Sequence, residues 1–152
     1  MVPAQDWRAL DFLLGQWTGA GSGTPGSSTG SFSFNRDLQG KVLIRRSFAE
    51  YPAAEGKPAS RHNDLTIVYR DEVSGRLRAT YYDNEGHVIA YSVTPADGRV
   101  VFESEPSEKE PRYRLTYART GPSRLQLKFE IAPPRKPYST YIDAEMQKSA
   151  AK

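Results

Sequence analysis

The chain has 152 residues, no cysteine, and 21 basic against 18 acidic side chains, for a formal charge of +3. That length suits one domain around one core, and the missing thiols exclude a disulfide scaffold, a thiolate metal site and a cysteine nucleophile. With His62 and His87 as the sole histidines, a multi-histidine metal site is disfavoured, and no apolar run approaches the ~18 residues of a membrane span.

The N-terminus carries the one good helix signal. Asp6 is placed to cap, and Trp7, Leu10 and Leu14 fall on one helical face. Gly15 stands where such a helix stops. The expected helix runs over 6–14 and is too short to stand alone, so it should pack on the rest of the chain.

After Gly15 the pattern turns to alternation. Strands are predicted at 16–23, 29–36, 41–50, 61–70, 75–83, 86–95, 98–104, 112–119, 123–131 and 138–147. The clearest is Leu125, Leu127, Phe129 and Ile131 alternating with Gln126, Lys128 and Glu130, one apolar face and one wet face. Turn chemistry separates the strands: Leu38-Gln39-Gly40, Val73-Ser74-Gly75, Asn84-Glu85-Gly86, Ala96-Asp97-Gly98 and Thr120-Gly121-Pro122. Links of this length favour antiparallel neighbours in sequence order. Two longer loops, 51–60 and 132–137, carry prolines and are not interdomain linkers. The expectation is all-β: one domain over 1–152, an antiparallel up-and-down barrel of about ten strands with a short N-terminal helix. Closure removes the sheet edges, and a barrel of that size has room for a ligand. A two-sheet sandwich is the other packing of the same strands.

Taking the more apolar parity of each strand as inward, the interior receives Trp17, Phe32, Phe34, Val42, Ile44, Phe48, Leu65, Ile67, Leu77, Ala79, Ile89, Val93, Val100, Phe102, Leu115, Leu125, Leu127, Phe129, Ile142, Ala144 and Met146. The same parity turns Arg46, Asn63, Tyr69, Tyr81, His87, Tyr91, Tyr113, Tyr117, Tyr138 and Thr140 inward. It turns Arg45, His62 and Asp64 outward. Buried polar groups need partners, and a cavity holding water or a polar-headed ligand supplies them. Arg46, Asn63, Tyr69, Tyr81, His87, Tyr91, Tyr113, Tyr117 and Tyr138 are therefore the candidate ligand-binding residues. An inward arginine attracts a carboxylate or phosphate.

The stretch Phe12-Leu13-Leu14-Gly15-Gln16-Trp17 resembles the Gly-x-Trp start of the calycins, and with ten strands behind it the whole chain is similar to their ten-stranded branch. That branch holds fatty-acid-binding proteins, nitrobindin-like proteins and bacterial lipocalin-like domains. The resemblance implies a barrel with a cavity for a hydrophobic ligand or haem, with Gly15 and Trp17 as architectural residues and Trp17 closing the base. The histidine that holds haem in nitrobindin-like proteins comes late in the barrel, and this chain has none after His87. The Arg-x-Tyr pair of fatty-acid-binding proteins is also missing.

Other patterns are set aside. Gly26-Ser27-Ser28-Thr29-Gly30 matches Gly-x-Ser-x-Gly but lies in a hairpin link rather than at a strand-to-helix elbow. Gly19, Gly21 and Gly23 precede no βαβ unit, so they read as places where a strand bends or another backbone comes close. His62, Asn63 and Asp64 are consecutive in a strand, so they form no triad; His62 and Asp64 share a face. Basic residues alternate with acidic ones, which speaks against nucleic acid. The expected function is binding of a small, largely hydrophobic molecule in the barrel, without metal or cofactor. The alternatives are an enzyme using His87 as acid–base residue in the same cavity, a haem-binding nitrobindin-like protein, and a filled barrel acting as a structural or interaction protein. The chain is expected to be soluble. Composition does not separate cytoplasmic from periplasmic or secreted placement after signal-peptide removal, and it leaves the oligomeric state open.

Overall fold

A computed structural model describes residues 7–23 and 28–149. Ten strands follow a short helix: β1 Gly15–Gly23, β2 Ser28–Asp37, β3 Val42–Tyr51, β4 Ser60–Arg70, β5 Leu77–Asp83, β6 Val88–Ala96, β7 Arg99–Ser104, β8 Arg112–Gly121, β9 Arg124–Ala132 and β10 Ser139–Lys148. Each pairs antiparallel with the next, and β1 also pairs with β10, closing the barrel. The expected all-β barrel with a short N-terminal helix is the observed fold. The expected Asp6 cap and the Gly26-Ser27 part of the hairpin link lie outside the described residues. Among the described residues, no helix is long and apolar enough to cross a membrane.

The helix is a 3-10 turn over Trp7–Leu13 rather than an α-helix over 6–14. Three residues per turn align positions 7, 10 and 13, so Leu13, not Leu14, joins Leu10 in full burial. The turn ends with Leu14 N–H donating to Asp11 O at 3.2 Å. Gly15 follows at φ +120°, and a Cβ there would meet the Lys148 side chain at 2.6 Å. The Trp17 indole then donates to Leu13 O at 2.8 Å and stacks on Phe32, centroids 6.4 Å apart. The helix is further tied by Trp7 Nε1–H to Gly40 O at 3.1 Å and by Arg36 to Asp11. It thereby packs at the end of the barrel where the β2–β3 turn lies.

That end is solid. Phe32, Phe34, Leu43, Val68, Leu77, Val93, Val100, Phe102, Tyr117 and Leu125 are buried with Leu10, Leu13 and Trp17 in one cluster. The Tyr117 ring meets Phe32, Phe34 and Phe102 edge-on at 5.4–5.8 Å. Toward the other end the inward row across β1, β2 and β3 is Gly19, Gly30 and Ala49, paired in that order, so that stretch of wall carries almost no side-chain bulk.

The inward parity holds on eight strands, apart from Thr140 at the start of β10, and is reversed on β3 and β4. Leu43 and Arg45 are buried and Arg46 is exposed; Thr66 and Val68 are buried, while Asn63 and Tyr69 are exposed. Val42, Ile44, Phe48, Leu65 and Ile67 thus lie on the outer face, half-buried. The reason is turn length. Four residues, 38–41, link the Asp37↔Val42 pair, which brings Arg45 opposite inward Phe34. Leu38 and Gln39 adopt left-handed φ of 49° and 57° to make that turn.

Candidate functional site

With β3 and β4 turned this way, their inward charges form the interior's polar wall. Arg45 and Asp64 are diagonal neighbours on β3 and β4, and Arg45 Nη1 donates to Asp64 Oδ1 at 2.5 Å. Both side chains are almost wholly enclosed, at 9% and 7% exposure. Arg45 also lies over aromatic faces, its Cζ 4.9 Å from the Phe32 ring and 5.9 Å from that of Tyr117. An enclosed ion pair backed by π faces is one in which neither charge is left alone.

The wall continues toward the end away from the helix. His62 Nε2 lies 3.0 Å from Tyr81 Oη and 3.4 Å from Asp64 Oδ2, and His62 Nδ1 lies 3.4 Å from Glu85 Oε1. The Tyr81 hydroxyl donates to Asp83 Oδ2 at 2.9 Å, so its oxygen is left to accept from His62. Carboxylates only accept. Both ring nitrogens of His62 therefore face acceptors, the arrangement that suits an imidazolium. The His62 pKa is accordingly raised, by the hydrogen bond to Asp64 first, then by Glu85, against the opposing effect of burial.

Asp83 is the organiser of the β5–β6 hairpin. Its Oδ1 accepts from the backbone N–H of Glu85 and of His87, at 2.9 and 3.0 Å. Its Oδ2 accepts from Tyr81 and from His87 Nδ1, the latter at 3.0 Å. Burial alone would raise this carboxyl, but these donors, the His87 N–H foremost, hold it below the ordinary range. The Tyr81 phenol is pushed well up, by burial and then by the charge of Asp64.

The sequence-predicted residues divide. Tyr81, Tyr91, Tyr113 and Tyr117 sit on the inward parity of their strands; Tyr91 and Tyr117 are fully enclosed, and Tyr113 stacks on Phe129 at 5.9 Å. Arg46, Asn63 and Tyr69 instead face outward because of the β3–β4 reversal. Arg46 borders a shallow outer groove with Gln16, Ser33 and Phe48. His87 belongs to the turn before β6 rather than to the strand, and its side chain is 60% exposed. Tyr138 precedes β10 in the proline-rich loop and is half-buried, its ring 4.0 Å from the Arg114 guanidinium. Arg114 in turn makes a two-pronged pair with Glu130 at 3.0 Å on both prongs. Thr140 is exposed because a bulge between Thr140 and Ile142 resets the parity of β10. Arg45, His62 and Asp64, expected to face water, are the interior charges that the parity argument missed. The shared face of His62 and Asp64 was legible; the side of the wall was not.

Among the described residues, no group of three or more His, Asp or Glu side chains is arranged to hold a metal ion. The two histidines are not placed to hold a haem inside the barrel: His62 has both ring nitrogens engaged, and His87 stands on the exposed turn before β6.

No family model and no curated protein matches the chain. Among solved structures it is similar to Rv2717c from M. tuberculosis, at 13% identity and TM-score 0.65 over 97% of this chain and 100% of that one. It is also similar to the S-type phycobiliprotein lyase CPES from Guillardia theta, at 9% identity and TM-score 0.55, covering 94% and 92% of the two chains. At such identities the likeness establishes a shared barrel fold.

Proposed function

We propose that this barrel binds a small, largely apolar molecule that enters at the end away from the helix. One observation carries the reading: the linked polar groups Arg45, Asp64, His62 and Tyr81 turn inward on β3, β4 and β5, beside an inward row on β1, β2 and β3 reduced to Gly19, Gly30 and Ala49. A core designed only for stability would gain from apolar side chains at these places, because an enclosed ion pair is often no better than a well-packed hydrophobic replacement. Polar groups beside a bare apolar wall suit a ligand site, where apolar area binds and a few polar groups orient. Each 100 Å² of ligand surface buried there contributes about 2.5 kcal/mol before the cost of association. That a phycobiliprotein lyase shares the barrel is consistent with this use of the fold.

Native mass spectrometry of protein purified without denaturation, together with titration of a neutral apolar fluorophore such as N-phenyl-1-naphthylamine, tests the reading. A retained small molecule or saturable uptake of the probe is expected. Protein that carries nothing and leaves the probe's emission unchanged would overturn it.

A further inference from the structure

The outer groove bordered by Arg46 is lined by Gln16 on β1, Ser31 and Ser33 on β2 and Phe48 on β3, and measures about 200 Å³. Of the residues lining it, Arg46 alone is charged. On this face of the sheet Ser33 and Leu65 stand across from Arg46, Ile44 and Phe48 flank it along β3, and every diagonal neighbour is uncharged. The first acid along that face of β3 is Glu50, about 13 Å away at the rise of a strand and already paired with Arg61 at 3.3 Å. Among the described residues Arg46 has no ion pair and no hydrogen bond, and the Ser31 and Ser33 hydroxyls have no partner either.

These features choose the ligand class. A guanidinium with no acid in reach attracts an anion, and its planar fork matches the two oxygens of a carboxylate. Ser31, Ser33 and the Gln16 amide add uncharged donors. One free cation suits one negative charge, whereas a phosphate near its full charge would be left half-compensated. Phe48, whose ring also carries the Arg61 guanidinium at 5.5 Å, makes the apolar side of the groove. An apolar cavity of roughly 150 Å³ holds a benzene molecule, so the groove has room for one ring and a carboxylate.

We propose that this groove is a second binding site, separate from the barrel interior, for a small aromatic monocarboxylate. The carboxylate lies on Arg46, with the serine hydroxyls and the Gln16 amide donating beside it, and the ring lies against Phe48. The site is open to water and its charge pair is exposed, so binding in the millimolar range is expected.

The test is an NMR titration of the backbone amides of the intact protein with benzoate, benzamide and inorganic phosphate. Benzoate is expected to saturate and to shift Gln16, Ser31, Ser33 and Phe48 together. Benzamide keeps the ring and loses the charge, and it is expected to bind about fivefold more weakly. Arg46→Gln is expected to weaken benzoate by a similar factor, and its amide spectrum checks that it is folded. The comparison of benzoate with benzamide needs no variant. Benzoate shifts that never saturate, or that fall on other residues, overturn the site. Equal affinity for benzoate and benzamide, or for benzoate with and without Arg46, removes the charge from the recognition and overturns the proposal. Phosphate binding as tightly as benzoate at the same residues overturns the assignment to carboxylates. The binding function of the barrel interior is decided separately, by the naphthylamine probe.

Discussion

Arg45 Nη1 and Asp64 Oδ1 lie 2.5 Å apart inside the barrel, as diagonal neighbours on β3 and β4. The pair ties two central strands together where the surroundings are aromatic rather than aqueous. Its energetic value lies in neither charge being alone. Asp64→Ala leaves a buried guanidinium uncompensated and is expected to cost about 3–5 kcal/mol in urea unfolding. The double variant Arg45→Met with Asp64→Leu replaces both charges by apolar groups and is expected to recover most of that loss. A double variant no better than Asp64→Ala would show that the cost comes from lost packing, not from an orphaned charge.

His62 makes stability depend on pH in a definite direction. Its folded pKa is raised above the ordinary value by the hydrogen bond to Asp64, with Glu85 and Asp83 adding to the shift. The protonated form therefore favours the folded state. The contribution is fully present below the unfolded pKa, about 6.5, and is lost as pH rises through the higher folded value. The side chain is partly exposed, so solvent screening keeps the effect modest. Tm is expected to fall from about pH 6 to pH 8 in the parent, and His62→Gln, which does not titrate, is expected to flatten that slope. An NMR titration of the ring protons should place the midpoint above 6.5; a midpoint below it would contradict the two-acceptor geometry.

Arg45 and Arg46 are adjacent but differ in fate. Arg46→Ala is expected to change stability by no more than about 0.5 kcal/mol, since the side chain is exposed. Arg45→Ala orphans Asp64 and is expected to cost several-fold more, on the order of 3 kcal/mol. Comparable losses for the two would mean that β3 is registered the other way.

The same pair marks where sequence reasoning reached its limit. Strand positions were readable within a residue or two, because Gly, Asp, Asn and Pro punctuate regular alternation. Faces were readable wherever one parity was plainly apolar, as on β9. On β3, Val42 and Ile44 compete with Leu43, and on β4, Leu65 and Ile67 compete with Val68. With apolar residues on both faces, alternation says nothing about which points in. The four-residue turn at 38–41 decided the matter, and its length was visible. Counted through the Asp37↔Val42 pair from inward Phe34, Arg45 falls inside. Tyr81, Tyr91, Tyr113 and Tyr117 lie on the inward parity that alternation predicts, because no such ambiguity affects β5, β6 and β8. Tyr138 and Thr140 failed at a loop boundary and a bulge, which leave little trace in a single sequence.

Gly19 gives a last test of the bare wall. It sits on the inward parity between Trp17 and Gly21, paired to Gly30 on one side and Met146 on the other. A Cβ there would lie 2.5 Å from the backbone oxygen of Glu145 and 3.0 Å from Met146 Sδ. The sulfur belongs to a flexible chain that can give way; the carbonyl is part of the β1–β10 ladder and cannot move without straining it. Gly19→Ala is therefore expected to destabilise by about 1–3 kcal/mol, as overpacking against fixed atoms does. Gly121→Ala is the control, since its Cβ would meet nothing closer than 3.8 Å and its backbone is not left-handed; a change within about 0.5 kcal/mol is expected. Thermal unfolding of both variants decides the point. Equal stability of the two would mean that glycine at position 19 is there for room inside the barrel alone, and that β10 has slack to yield.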